Sequence, residues 1–295
     1  MKFGVCIPNY GETSSVEGIT SVTLEAERLG YDSVWTTDHI LMSMRSGTPY
    51  ERIFDSVASL AFVAPRTKRV RLGISCLIVA MRNPAAVAKQ LATIDAFSDG
   101  RVLLGVGVGW NEREFLNVGS DFHNRGKRVD ESVGLLKALW RGETDFRGKR
   151  TNLDAKDVVF DPKPSARELE VWIGGLSDAA MRRANRLGDA WHPNVLPLDA
   201  FKGLLRKYRE VSGSGGKPVC VRIGIDLKAE KPEYVGAQGD RRLRLTGDMA
   251  ANAKTVSELE SLGVSQAIVV PSPEGKTSTK DQLESIGIFA EKFLN

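Results

Sequence analysis

Short β-branched, apolar runs alternate with amphipathic stretches along almost the whole chain. Phe3–Ile7 is the first run. After it, Ile19, Val22, Ala26 and Leu29 recur at helical spacing between the capping sequence Ser14-Ser15-Val16-Glu17 and Gly30. Ser33–Thr37 then reads as a strand, Asp55–Ala64 as a helix and Val70–Cys76 as a third strand. Asn83-Pro84 supplies a cap and a first-turn proline for a helix carrying Val87, Leu91 and Ile94, which ends near Gly100 before a fourth strand at Val102–Val106. Val129, Val133, Leu136 and Trp140 line a fourth helix, after which residues 142–167 show no helical period and read as an irregular excursion. The alternation resumes with a strand at Leu169–Ile173, a helix at Ser177–Leu187, a strand at Asp189–His192 and a helix bearing Phe201, Leu204, Leu205 and Tyr208. Val219–Leu227 and Ser265–Val270 are strands seven and eight, and Leu283, Ile286, Phe289 and Phe293 form a closing helix.

Eight parallel strands with intervening helices are the number that closes a barrel, and continuous apolar strands are those a parallel sheet covers on both faces. The pattern therefore predicts an α/β fold, a (β/α)8 TIM barrel with an irregular excursion after helix 4, as one domain over residues 1–295. The alternative, an open doubly wound sheet, more often stops at five or six strands. The run Gly105-Val106-Gly107-Val108-Gly109 also lacks the G-x-G-x-x-G spacing of a dinucleotide site.

Composition narrows the partners. Hydrophobic residues make up 42% of the chain, enough for a large core, but no apolar run approaches the roughly 20 residues of a membrane span. Net charge is +4, with Lys and Arg mixed among Asp and Glu, so no nucleic-acid role is expected. The basic run Arg66-Thr67-Lys68-Arg69-Val70-Arg71 precedes a strand and belongs on the face opposite the chemistry. Three widely spaced cysteines, Cys6, Cys76 and Cys220, fit buried thiols in a reducing compartment, and the N-terminus shows no export signal. A cytoplasmic enzyme is expected.

Barrel chemistry gathers where strands hand over to their following loops. That rule brings Asn9, Asp38, His39, Ser75, Cys76, Arg82, Gly107, Gly109, Trp110, Asn111, Gly174, Gly175 and His192 to one face. His39, next to Asp38, suits proton transfer near neutral pH, a reading favoured over that of a structural imidazole locked by Asp38. His192, in Trp191-His192-Pro193, can be read either way, and His123 reads as surface. Gly107 and Gly109 permit close backbone approach, with Trp110 as a wall and Asn111 as a donor. In Gly174-Gly175-Leu176-Ser177, Ser177 caps a helix whose free N–H groups suit a phosphate. Glycines serving only tight turns are the competing reading. A metal-dependent hydrolase or isomerase using Asp38, His39, His192 and Asp226 is a second class, though no clustered ligand spacing supports it.

Four stretches together resemble the bacterial luciferase-like family of flavin and deazaflavin oxidoreductases: Thr37-Asp38-His39, Gly73-Ile74-Ser75-Cys76 with Arg82-Asn83-Pro84, Gly100-Arg101 through Gly105–Glu112, and Trp172–Gly175 with Arg186–Pro193. The Gly109-Trp110-Asn111-Glu112 and Trp191-His192-Pro193 versions are similar to members that use coenzyme F420, while close relatives use FMN. The resemblance implies a cis peptide at Ser75-Cys76 against the ring, His39 facing its reactive edge, and Gly107, Gly109, Asn111, Gly174 and Gly175 about the phosphate. Asp38 and His39 are the expected catalytic residues; Ser75, Cys76, Gly107, Gly109, Trp110, Asn111, Gly174, Gly175 and Leu176 are expected to bind cofactor, with no metal. The expected reaction is hydride transfer between F420 and a small organic substrate; FMN-dependent monooxygenation is the alternative, and a non-catalytic flavin-binding role is a third. A homodimer without nucleic-acid or membrane partners is expected. Sugar-phosphate dehydrogenase members carry an acidic residue where Trp110 stands and a tryptophan near Met42, Ser43 and Met44, so a methionine wall including Met81 points instead to an apolar substrate. Arg241, Arg242 and Arg244, in the loop after strand seven, either meet an anionic cofactor tail or form a solvated surface run.

Overall fold

From the N-terminus the elements run β1 (Lys2–Cys6), α1 (Val16–Leu29), β2 (Ser33–Thr36), α2 (Ser56–Val63), β3 (Arg71–Leu77), α3 (Pro84–Phe97), β4 (Val102–Val106), α4 (Glu112–Asn117), α5 (Arg125–Arg141), β5 (Asp145–Arg147), β6 (Asn152–Asp154), β7 (Glu170–Gly174), α6 (Asp178–Leu187), β8 (Ala190–His192), α7 (Leu198–Ser212), β9 (Val219–Ile225), β10 (Glu233–Val235), β11 (Arg241–Leu245), α8 (Met249–Ser261), β12 (Val264–Val270) and α9 (Thr279–Phe293). The computed structural model describes every residue except 44–46, 144, 150–151, 155–158, 167 and 295. Met44 of the expected methionine wall, and parts of the 142–167 excursion, lie outside the described residues.

The parallel strands follow the order β1-β2-β3-β4-β7-β8-β9-β12, and β12 pairs back onto β1, so the barrel closes with eight strands as expected. Alternation along each strand divides the apolar side chains. One set, including Val5, Val34, Leu72, Leu104 and Val171, packs outward beneath the helices. The other, Cys6, Trp35, Leu103, Trp172, Cys220 and Ile268, fills the barrel itself, where the Trp35 and Trp172 rings lie 4.7 Å apart. Side-chain caps fix most helix starts. Ser15, Asp55, Asn83, Asn111, Ser177, Asp248 and Ser278 each accept from a first-turn N–H.

Four segments depart from the pattern reading. The excursion after the fourth barrel helix, α5, holds a small antiparallel pair, β5 with β6. The supposed loop after strand seven contains the hairpin β10–β11, whose second strand runs parallel to β9, so Arg241, Arg242 and Arg244 lie on a strand. The alternating Leu243 and Leu245 are buried there and hold that strand down. Two helices went unread: α4 is too short for a period, and α8 buries only a narrow stripe of Asn252, Val256 and Leu259. Among the described residues, no helix is long and apolar enough to cross a membrane.

Candidate active site

The carboxyl ends of the strands surround a cavity of about 710 Å³. Thr37, Asp38 and His39 reach it from the end of β2, Ser75 and Cys76 from β3, Gly107, Gly109 and Trp110 from beyond β4, Gly174, Gly175 and Leu176 from β7, and His192 from β8.

His39 is oriented by a residue that sequence reasoning missed. Its Nδ1 lies 2.8 Å from Glu114 Oε2, while Glu114 Oε1 accepts from Ile40 N at 2.5 Å and Leu41 N at 3.3 Å. A carboxylate only accepts, so Nδ1 carries the proton and donates. Among the described residues, the other nitrogen, Nε2, has no hydrogen-bond partner. Burial opposes ionisation of Glu114, but the bonds from His39 and the two backbone N–H groups outweigh it and hold the carboxyl below its usual range. Glu114 sits three residues after the cap Asn111, the spacing of a capping box, yet its side chain turns across to His39 rather than back to Asn111. That spacing was the one available signal. Tyr50 and Trp110 confine the imidazole, with ring centroids 4.6 Å and 5.6 Å away.

The expectation that Asp38 partners His39 is therefore corrected. Although Asp38 borders the cavity, its carboxylate accepts from Ser56 Oγ at 2.7 Å, Ile78 N at 2.9 Å and Arg82 Nη2 at 2.6 Å. Adjacent side chains on an extended segment point opposite ways, which sends Asp38 outward and His39 inward. Asn9 serves the same segment, accepting from Thr37 N at 2.9 Å and donating to Thr37 O at 2.8 Å.

One end of the cavity is built for an anion. The first turn of α6, capped by Ser177 and approached through Gly174-Gly175-Leu176, meets the start of α5 at Arg125 and Gly126. Arg183 joins them, held by Asp130 at 2.5 Å, and Arg125 lies over the Phe122 ring at 3.7 Å. Two helix N-termini and two guanidiniums at one end favour a phosphate. Gly109, at φ +77°, is a glycine for a different reason than expected: a Cβ there would lie 2.6 Å from the Phe115 ring and 2.8 Å from Ile78. Asn111 does not reach the cavity, because its carbonyl oxygen caps α4 and its amide meets Met42 Sδ at 3.4 Å.

The wall opposite holds His192, whose Nδ1 donates to Cys220 O at 2.6 Å, leaving Nε2 to accept from Ser75 Oγ at 2.7 Å. Burial pushes its pKa down to about 4, the nearby Arg222 charge adding to that effect against the Cys220 bond. The Ser75–Cys76 peptide is cis, as the resemblance implied, and burial pushes the Cys76 thiol up to about 12. Arg222, also missed, donates to Ser75 O at 2.9 Å and Thr37 Oγ1 at 3.0 Å. Its signal was one arginine in the otherwise apolar run Val219–Ile225.

Several expectations find no place in the cavity. Met81 is packed in the helix-facing core and Met42 against the second cluster, so neither forms a wall of the site. Among the arginines of β11 only Arg242 borders the cavity, paired with Asp240 at 2.7 and 2.9 Å; Arg241 bonds Glu233, and Arg244 bonds Glu274 at 2.5 Å. His123 is exposed. Asp38, His39 and His192 each bond other groups, and among the described residues no cluster of His, Cys, Asp and Glu is arranged to hold a metal.

A closed barrel whose cavity holds a buried histidine bonded to a carboxylate, with two helix N-termini and two arginines at its other end, defines a class of enzyme-like (β/α)8 scaffold, and the chain's relatives narrow it. Residues 1–229 match the family model described as Luciferase-like monooxygenase, and the chain belongs to that family. It is 35% identical over 260 residues to an F420-dependent glucose-6-phosphate dehydrogenase of Amycolatopsis mediterranei, covering 83% of this chain and 75% of that one. It is 28% identical over 242 residues to an FMNH2-dependent dimethylsulfone monooxygenase of Pseudomonas putida, covering 77% of this chain and 64% of the relative, just under two thirds of its length. Two solved structures share the fold. They are an F420-dependent secondary alcohol dehydrogenase in complex with an F420-acetone adduct (TM-score 0.78, 19% identity, 97% of this chain and 98% of that one) and the oxygenating constituent of 3,6-diketocamphane monooxygenase of Pseudomonas putida in complex with FMN (TM-score 0.77, 18% identity, 99% and 97%).

Proposed function

We propose that this oxidoreductase transfers hydride between coenzyme F420 and a small organic substrate. The observation that carries the reading is the division of labour on His39, with Nδ1 committed to buried Glu114 and Nε2 left to a cavity whose far end is a phosphate cradle. The residues present fit a ring-bearing phosphate ester. The first turn of α6 with Arg125 and Arg183 would hold the phosphate, and Ser75, Cys76 and Trp110 would flank the ring. F420 and FMN share that ring-and-phosphate plan; the 35% identity to an F420-dependent relative supports the deazaflavin. When bound, it supplies a hydride carrier that lacks the nitrogen through which a flavin activates oxygen.

The protein's own part is protonic and positional. Nε2 of His39 holds or accepts the proton that accompanies hydride gain or loss at the substrate, a contribution of about 10²–10⁴-fold. Glu114 fixes the tautomer and ring plane. Asp38, through Ile78 N, Ser56 and Arg82, positions the segment that carries His39. Monooxygenation with FMN is the second reading, favoured by the FMNH2-dependent relative.

Titrating purified protein with F420 and, separately, FMN while following each ligand's own spectrum tests both. F420 binding with a spectral shift is expected. FMN binding alone would move the protein to the monooxygenase reading, and no binding of either below the high micromolar range would end both.

A further inference from the structure

Among the described residues, the guanidinium of Arg222 is a cation without a counterion. It reaches across the barrel mouth from β9 to Ser75 O at 2.9 Å, Thr37 Oγ1 at 3.0 Å and Tyr10 Oη at 3.4 Å, all neutral acceptors. Among the described residues it forms no ion pair, whereas the neighbouring arginines do: Arg82 with Asp38, Arg183 with Asp130 and Arg242 with Asp240. The carboxylates nearest the reaction are thereby spent, Glu114 on His39 included. An arginine offers five N–H donors, more than the three bonds Arg222 makes to these acceptors, and the residue lines the cavity. Its charge is felt in the site, adding to the burial that depresses His192.

A partly desolvated charge without a partner is costly, so such a group is expected to be neutralised by what binds. The cofactor's phosphate has its own cradle at α5 and α6, after β4 and β7, whereas Arg222 stands on β9 farther round the barrel. One uncompensated charge matches a monoanion. A phosphate monoester, at nearly −2 near neutral pH, would leave charge unmatched.

We propose that Arg222 seats the carboxylate of the substrate, so that the molecule turned over is a small organic acid rather than a neutral apolar compound. Its role as substrate rests on the oxidoreductase reading above; the anion seat itself does not. Benzoate, benzamide and phenyl phosphate are the probes, their binding measured calorimetrically on the cofactor-free protein and again with F420 present. Benzoate is expected to bind at least about tenfold tighter than benzamide, the size of a charge-assisted bond, and to lose a similar factor in Arg222→Met. Arg222→Met should leave F420 affinity within a few-fold, and Arg125→Met should leave benzoate affinity unchanged. Equal binding of benzoate and benzamide overturns the proposal without any variant, as does phenyl phosphate binding tighter than benzoate in the presence of F420. Loss of F420 rather than benzoate in Arg222→Met assigns the cation to the cofactor and also overturns it. Should the methionine variant fail to fold, Arg222→Lys, which keeps the charge and loses the planar fork, must still weaken benzoate several-fold. Failure of F420 and FMN to bind the wild type would instead strike the oxidoreductase reading while benzoate still reported on Arg222.

Discussion

A histidine serves proton transfer when one ring nitrogen is committed and the other is free, and Glu114 makes that division for His39. Replacing His39 with Ala is therefore expected to lower turnover by about 10²-fold or more while cofactor affinity stays within a few-fold. Single-turnover rates beside a binding titration check this, and parallel losses in both would make His39 a cofactor clamp. Glu114→Gln keeps the shape but ends the charge, and should lower turnover with the cofactor still bound; a wild-type rate would reduce Glu114 to packing. The place of His39 at the cavity was legible from the strand end Thr37-Asp38-His39, because the carboxyl ends of barrel strands open onto it. Its partner was not legible. Asp38 is adjacent in sequence, but strand alternation turns it toward Arg82 and Ile78, and the carboxylate that matters comes from a six-residue helix after a different strand.

Between elements, one contact sensitive to a single methyl group is that of β3 with β7. A Cβ on Gly174 would lie 2.5 Å from Cys76 Sγ but 3.6 Å from Cys76 Cβ, so the conflict is with the sulfur alone. Gly174→Ala should destabilise the barrel by about 1–3 kcal/mol, the usual size of overpacking, and Cys76→Ala in the same chain should recover most of it. Denaturant midpoints of the four proteins in that cycle give the coupling, and additive effects would show that the two strands do not meet there as described. Gly174 was read as a phosphate residue, and it does border the cavity, but a side chain there would also meet Cys76 of β3, across β4 in the strand order. The alternation of strands and helices was legible because eight parallel strands buried on both faces leave continuous apolar runs. What escaped, α4, α8 and the β10–β11 hairpin, are short or narrowly buried elements: β11 interleaves three arginines, of which Arg241 is exposed, with the buried Leu243 and Leu245.

Across the whole molecule, the barrel depends on a histidine staying neutral. In the folded protein His192 donates Nδ1–H to Cys220 O and accepts from Ser75 Oγ at Nε2; a second ring proton would reverse the Ser75 bond and place a charge in a buried site beside Arg222. Sequence placed His192 at a strand end without deciding its role, because its two partners come from β3 and β9, on either side of the barrel mouth. Its folded pKa is depressed to about 4 from 6.5, first by burial and then by Arg222. A group depressed in this way contributes stability that is full above the unfolded value and is lost as pH falls through the folded one. The window is therefore pH 6.5 down to about 4, and its full depth is about 3 kcal/mol. Glu114, also depressed, adds its own loss only below its usual 4.5, so the two are separable. Thermal or urea unfolding at several pH values between 7.5 and 4.5, on the order of the range where one histidine titrates, should show the wild type weakening steadily while His192→Gln starts lower and changes little. If the variant follows the wild-type pH dependence in parallel, acid sensitivity resides elsewhere and Ser75 is held at the cavity wall by something other than a neutral imidazole.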